Sequence, residues 1–149
     1  MREKFTSDLK EAMKAGDKMR VATIRLIAAA LKDRDILARG EGKTVSDEDI
    51  LALLQKMVKS RQESLDIYEK NNRPELAAQE KGEIEVISSY LPKQMDEGAV
   101  AEAIKAAIAE TGAASMKDMG KVVASLKAKY TGQMDFAKAS AAVKAALSS

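Results

Sequence analysis

The chain has 149 residues, of which 46% are hydrophobic, 32% are charged and 3% are aromatic. Its 25 basic and 23 acidic residues leave a net charge of +2, and it contains no His and no Cys. This composition provides a packed core but excludes disulfides, Zn–thiolate sites, Cys nucleophiles and His general bases.

The N-terminal segment MREKFTSDLKEAM predicts an amphipathic helix rather than a signal peptide. Phe5, Leu9, Ala12 and Met13 recur at helical spacing, and Gly16 ends the helix. The segment has no continuous apolar region, and no apolar run in the chain approaches the roughly 20 residues of a membrane span. We therefore expect a cytoplasmic protein.

A second helix is expected from about residue 17 to residue 37. Its apolar residues fall on two sides, one with Ile24, Ile27 and Leu31 and the other with Met19, Leu26 and Ala30. Two apolar sides are typical of a central helix that is covered on both sides. The glycine-containing segment ARGEGKTV then predicts a loop.

Two further helices complete a predicted four-helix bundle over residues 1–92. Ser46, with Asp49 three residues later, forms a capping-box pattern at the start of the third helix. The segment EKNNRPE ends this helix, and Pro74 suits the first turn of the fourth, which runs to about Tyr90. Four amphipathic helices in succession favour a bundle.

Pro92 marks the boundary to a second predicted bundle over residues 93–149, because proline cannot extend a helix. Three shorter amphipathic helices follow, the first two ending near Gly112 and Gly132, and the last beginning at Asp135 as its N-cap. No strand-like alternation is present. The predicted fold class is all-α, a four-helix N-terminal bundle followed by a three-helix C-terminal bundle.

Four charged residues fall within the predicted apolar surfaces of the first bundle, namely Arg25, Arg61, Glu80 and Glu83. Because an unpaired buried charge is costly, we expect the two arginines to pair with the two glutamates. This buried polar cluster is either a structural ion-pair network or a pocket for a small ligand or acid–base chemistry. Ion pairs that shift pKa values are often only structural, which favours the first interpretation.

The last third of the chain combines lysine and alanine on its predicted surface. Residues 93–149 carry eight lysines and six acidic residues, whereas residues 1–92 have no net charge. Lysines attract phosphates, and alanines allow close approach to a helix backbone. Without arginine or an aromatic series, this surface predicts recognition of structured RNA by backbone and shape, with no DNA site. An ordinary solvated surface is the alternative, since alanine is the best helix former.

A resemblance that extends over nearly the whole chain rests on four stretches, namely VATIRLIAAALKDRDI, KMVKSRQESLDIYEKNNRPELAAQEKGEIEVI, KGEIEVISSYLPKQM and MKDMGKVVASLKAKYTGQMDFAKASAAVKAAL. In this order they resemble the YqeY family of the GatB/YqeY group. The resemblance implies a four-helix bundle followed by a three-helix bundle. It also implies that the second bundle is similar to the tail domain of GatB, a subunit of the tRNA-dependent amidotransferase.

The GatB tail engages tRNA away from the reaction centre, so the resemblance implies a tRNA contact for the second bundle. The family pattern Met-Gly-Lys-Val-Met stands here as Met119-Gly120-Lys121-Val122-Val123. The Gly-Arg-Ala-Asp-like segment stands as Gly132-Gln133-Met134-Asp135 and has lost the arginine. The positions that follow as candidates for RNA binding are Lys117, Gly120, Lys121, Lys127, Lys129, Gly132, Lys138 and Lys144.

Three functions remain open at this point. The first is a non-catalytic, tRNA-associated accessory module that acts in trans. The second is an adaptor whose first bundle docks on an aminoacyl-tRNA synthetase, an amidotransferase or a ribosome-linked partner. The third is a carbon–nitrogen ligase activity with glutamine as amido donor, which only a family label would imply. We expect no catalytic residues, no cofactor and no metal site, because no nucleophile beside a base can be identified.

Overall fold

The computed structural model describes residues 1–148. Over this range the regular elements are seven α-helices and one short 3₁₀ helix, which confirms the predicted all-α class. The chain divides into two compact units, the first of which is Met1–Leu91, while the second begins at Pro92. Across the same residues, no helix is both long enough and apolar enough to span a membrane.

The first unit consists of four helices, α1 (Arg2–Ala15), α2 (Lys18–Gly40), α3 (Asp47–Lys70) and α4 (Pro74–Ser88). α3 and α4 form the most extensive helix pair, and α2 packs against α1, α4 and, over a shorter length, α3. The buried core of this unit comprises Phe5, Ile24, Ile27, Leu31, Ile50, Leu54, Met57, Ile87 and Tyr90. The centre of the unit is therefore filled by aliphatic side chains of α2, α3 and α4, while α1 contributes Phe5.

Local signals set several helix ends of the first unit where the sequence predicts them, whereas α2 continues to Gly40, into the predicted loop. Gly16 adopts the left-handed conformation, with φ 69°, directly after α1. Ser46 accepts a hydrogen bond from the Asp49 backbone N–H at 3.1 Å, and Asp49 accepts one from the Ser46 N–H at 3.0 Å. This reciprocal pair confirms the capping box. α4 begins at Pro74, as expected for a residue without an N–H.

The two predicted apolar sides of α2 are buried to different extents. Ile24 and Ile27 are almost fully enclosed, whereas Leu26 is 41% exposed and both Ile36 and Leu37 are more than half exposed. The expectation that α2 is covered on both sides therefore holds only in part: Met19 lies against Gly82 and Ala30 packs on the core, whereas Leu26 between them is open. The buried residues of α2 lie within a single arc of the helix, and Leu26 falls about 200° beyond Ile24 around the axis.

The second unit contains α5 (Glu97–Thr111), a 3₁₀ helix (Met116–Asp118), α6 (Met119–Tyr130) and α7 (Phe136–Ser148). Each of the three α-helices packs against the other two. Its buried core comprises Ala103, Ile104, Ala107, Val122, Leu126, Met134, Ala139 and Val143. The small alanines at this core allow the three helices to approach closely.

Side-chain caps also define the helices of the second unit. Asp96 accepts a hydrogen bond from the backbone N–H of Ala99 at 2.7 Å and caps α5. Asp135 accepts one from the N–H of Ala137 at 2.9 Å, which confirms its predicted place at the start of α7. Gly112 follows α5 in the left-handed conformation with φ 66°.

Candidate functional site

Two of the four charged residues expected in the first core form an ion pair between α3 and α4. Arg61 Nε donates to Glu83 Oε2 at 3.0 Å, and the same guanidinium donates to the Met57 carbonyl at 3.2 Å. Gln79 donates to the other oxygen of Glu83 at 3.1 Å. The side chains of Arg61 and Glu83 are only 18% and 13% exposed. Both oxygens of Glu83 are thus engaged within the helix pair.

Glu80 lies one helical turn before Glu83, and one of its oxygens has no partner. This atom, Oε2, is buried without a hydrogen bond. Burial raises the pKa of Glu80, and the charge of Glu83 raises it further, while Arg61 lowers it. A raised carboxyl pKa is a candidate for acid–base chemistry, but neither Arg61 nor Glu83 is a nucleophile that such a base would activate. We therefore interpret the cluster as a structural ion pair with one poorly solvated carboxyl group.

Arg25 lies outside this cluster, contrary to the expectation from the sequence. It is exposed on α2, and it forms no ion pair with Glu80 or Glu83. Because α2 directs Ile24 towards the core, position 25 is turned about 100° away from it. Within residues 1–148, no group of three or more acidic side chains is placed to bind a metal ion.

A second polar network joins the end of the first unit to α1. The Tyr90 hydroxyl donates to Asp8 Oδ2 at 2.6 Å, and the Arg20 guanidinium lies 3.5 Å from the same oxygen. The Phe5 ring meets the Tyr90 ring edge to face, with centroids 4.8 Å apart. Burial and the bond to Asp8 raise the pKa of Tyr90 to about 12. No local sequence pattern predicts this network, because Tyr90 and Asp8 are 82 residues apart.

Six lysines at the candidate RNA-binding positions are exposed in the second unit, namely Lys117, Lys121, Lys127, Lys129, Lys138 and Lys144. Lys129 is paired with Glu110, and this hydrogen bond raises the pKa of Lys129. For the other five, the described part of the chain provides no ion pair. Five cationic groups are therefore available to an external anion.

The aspartates near these lysines are engaged with backbone N–H groups. Asp118 accepts a hydrogen bond from the N–H of Ala114 at 3.0 Å, while Asp135 caps α7. The bond from Ala114 lowers the pKa of Asp118, and the charge of Lys121 contributes a smaller lowering. Residues 116–148 contain six lysines and only these two acidic residues. We expect a net positive potential along α6 and α7.

The six lysines do not share one helix face. Lys121 lies on the side of α6 away from the buried Val122 and Leu126, beside exposed alanines. Lys127 and Lys129 are separated by about 200° around α6, so they lie on opposite flanks of the helix. A single surface of the second unit would therefore engage some of the six lysines, with Lys121 and its neighbours at the centre.

The two candidate glycines have different surroundings. Gly132 is buried with φ 80°, and its carbonyl accepts a hydrogen bond from Gln94 Nε2 at 2.6 Å. Its conformation therefore has a structural explanation. Gly120 is exposed in the first turn of α6, and the space where a Cβ would lie is open. Packing within the unit thus gives no reason for a glycine at position 120.

Comparison with known proteins adds a family match and several relatives. Residues 2–147 match the family model described as Yqey-like protein. Three yeast relatives are each named "Altered inheritance of mitochondria protein 41, mitochondrial". The protein of Lachancea thermotolerans is 38% identical over 84 residues, that of Saccharomyces cerevisiae 32% over 84, and that of Vanderwaltozyma polyspora 36% over 85. Each alignment covers 56% of this chain and 44% of the relative, so the chain spans less than half the length of these relatives.

Proposed function

The chain belongs to the YqeY family, and on this premise we propose that its second unit contacts structured RNA, with transfer RNA as the candidate. In this role the protein is a non-catalytic accessory module. The observation that carries the proposal is the group of exposed lysines on α6, α7 and the 3₁₀ helix that no carboxylate of residues 1–148 pairs. Phosphate groups are the anions that such lysines attract from a nucleic acid.

The lysines of the contact differ in their expected contributions. Lys121 and Lys138 lie on the sides of α6 and α7 away from their buried residues, and Lys117 is exposed on the 3₁₀ helix, which has no buried residue. These three lysines form the centre of the proposed surface. Lys127 and Lys144 lie on helix flanks, whereas Lys129 is occupied by Glu110. About four phosphate contacts follow from this arrangement.

The open space at Gly120 supports a close approach of the RNA backbone to α6. Lysine provides a point charge rather than a planar pair of donors, and residues 93–149 contain no arginine. Recognition would then depend on the position of phosphates, as in most contacts to folded RNA, and not on base edges.

A salt titration tests the proposal. Fluorescently labelled, unfractionated tRNA is titrated with the full chain at several KCl concentrations between about 50 and 200 mM, and binding is followed by anisotropy. Four phosphate contacts predict a slope of about −3 to −4 for log K against log[salt]. Undetectable binding at the lowest salt concentration, or equal binding to duplex DNA of similar length, contradicts the proposal.

Substitutions locate the contact. Lys121→Gln and Lys138→Gln are each expected to reduce the salt slope by about one, since each removes one phosphate contact. Lys105→Gln is the matched control, because Lys105 lies on α5 of the same unit and is 3.9 Å from Glu102. Lys129→Gln is expected to have little effect. Equal losses in all four variants indicate diffuse attraction to a cation and not a defined surface.

The cytoplasmic location and the partner enzyme of such a module stay predictions. The yeast relatives are named as mitochondrial proteins. Transfer RNA serves translation in both compartments, so the proposed contact is compatible with either location. An aminoacyl-tRNA synthetase or an amidotransferase remains the expected partner enzyme of a protein that binds tRNA in trans.

A further inference from the structure

An open pocket lies between the C-terminal end of α1 and the first turns of α2. It has a volume of about 410 Å³ and is lined by Met13, Gly16, Lys18, Val21, Ala22 and Arg25. Met13 is 54% exposed here, although the sequence places it in the apolar stripe of α1. The pocket therefore has an apolar side, from Met13 and α2, and two cationic groups.

The apolar side of the pocket continues along the outer face of α2. Ala22, Ala29 and Ile36 are spaced seven residues apart, and Leu26 lies one turn after Ala22. All four are exposed, and their side chains fall within about 80° around the helix axis. The exposed carboxylate of Asp33 falls within the same arc and interrupts the apolar strip between Ala29 and Ile36. This is the side of α2 that the first unit leaves uncovered. A strip of this spacing has the period of a helix–helix seam.

A cationic edge runs beside this apolar strip. Lys18, Arg25, Lys32 and Arg39 are also spaced seven residues apart, and all four are exposed. In a heptad where Ala22, Ala29 and Ile36 occupy position d, these four cations occupy position g. Charges at position g select the partner of a helix pair, because they meet charges of the facing helix.

The cations of this edge form no ion pair with the described residues of the chain. The charge of Arg39 nevertheless acts on Asp35, whose pKa is lowered mainly by Arg2 and further by Arg39, so Lys18, Arg25 and Lys32 are the cations without such a neighbour. Two arginines near the other side of α2 do have internal partners. Arg2 donates to both oxygens of Asp35, at 2.9 and 2.7 Å, and Arg20 lies 3.5 Å from Asp8. The outer edge of α2 thus has unmatched positive charge beside exposed apolar side chains.

We propose that the outer face of α2 docks an amphipathic helix of a partner protein whose flank bears carboxylates at heptad spacing. The apolar stripe of that helix covers Ala22, Leu26, Ala29 and Ile36, with a polar residue facing Asp33, and an apolar side chain at its end enters the pocket beside Met13. The carboxylates pair with the cationic edge and set the direction of docking. This surface belongs to the first unit, so the inference does not depend on RNA binding by the second.

Designed peptides of about three heptads test the inference. One has leucine at positions a and d and glutamate along the facing flank, the second has lysine in place of glutamate, and the third is a scrambled form of the first. Methyl NMR of the full chain is expected to show shifts at Met13, Leu26 and Ile36 with the glutamate peptide alone. Ile67 and Leu76 serve as controls, since they are 57% and 46% exposed on other helices.

A charge swap tests the cationic edge. Arg25→Glu is expected to weaken binding of the glutamate peptide about ten-fold, because one attraction becomes a repulsion, while Lys56→Glu on α3 has no effect. The double variant Lys18→Glu with Arg25→Glu is expected to bind the lysine peptide instead. Both substitutions are compatible with folding, because glutamate favours helices and suits the start of α2.

Four results overturn the inference. Equal binding of the glutamate and lysine peptides shows that charge does not select the partner. Shifts at Ile67 and Leu76 in place of Leu26 and Ile36 place the surface elsewhere. Shifts of the α2 methyls with protein concentration alone show that a second copy of the chain covers the face. Shifts with anionic lipid vesicles but not with the peptide show that the face binds a membrane surface.

Discussion

Replacement of Arg61 with Met tests whether the ion pair between α3 and α4 is structural. The substitution keeps an apolar stem of similar length and removes the guanidinium, which donates to Glu83 at 3.0 Å and to the Met57 carbonyl at 3.2 Å. Glu80 and Glu83 then remain close together without the cation that lowers the pKa of Glu80.

The expected cost follows from the burial of the pair. A hydrogen bond to a charged group contributes about 1.5–3 kcal/mol, and breaking a fully buried ion pair costs about 3–5 kcal/mol. Arg61 and Glu83 are 18% and 13% exposed, and Gln79 continues to donate to Glu83. We therefore expect the variant to lose about 2–3 kcal/mol in the free energy of unfolding at neutral pH. The loss becomes smaller in acid, because protonation removes the repulsion between the two glutamates.

Urea unfolding of the full chain provides the assay. Resolved amide signals of Ile87 and Val122 report the first and the second unit separately, since a chain with two units need not unfold in one step. Lys56→Met, an exposed position on the same helix, is expected to stay within about 0.5 kcal/mol of the original protein. A comparably small loss for Arg61→Met would refute the structural interpretation and favour a ligand pocket at this cluster.

Three further substitutions have defined outcomes. Glu80→Gln is expected to stabilise the first unit at neutral pH by up to about 1 kcal/mol. Folding raises the pKa of Glu80, so the stability of the original protein declines as pH rises from the pKa of the unfolded state to that of the folded state. Urea midpoints measured across this pH range are expected to show the decline in the original protein and not in the variant. Tyr90→Phe removes the 2.6 Å hydrogen bond to Asp8 and is expected to cost about 1–2 kcal/mol in the same unfolding assay. Gly120→Ala adds a methyl group in open space on α6, so thermal unfolding is expected to show an increase of about 0.5–1 kcal/mol in the free energy of unfolding. The affinity for tRNA is expected to fall, and an unchanged affinity would remove Gly120 from the proposed contact.

Short-range patterns account for the parts of the fold that the sequence predicts. The capping box of Ser46 and Asp49, the start of α4 at Pro74 and the cap at Asp135 each depend on residues within a few positions. The same holds for the apolar stripes, whose period identifies a helix without knowledge of its neighbours. The all-α class and the ends of most helices follow from such patterns.

Partners distant in the sequence account for the parts that were missed. Tyr90 reaches Asp8 across 82 positions. Glu80 and Glu83 occupy the same predicted stripe, yet only Glu83 meets Arg61. Helical projection shows on which side of a helix a residue lies, but it does not show how far its side chain reaches towards the neighbouring helix. It therefore cannot decide which of two neighbouring carboxylates contacts a cation.

The sequence by itself determined the helices, their ends and the excess of lysine in the last third. Only the tertiary structure decided which apolar sides are covered, so that Ile24 is buried while Leu26 and Arg25 remain on the surface. The physical reason is that helix formation depends on neighbours along the chain, whereas burial depends on which other helices pack against each side. An amphipathic pattern shows that a face requires cover, but it does not show whether the same chain or a partner provides it.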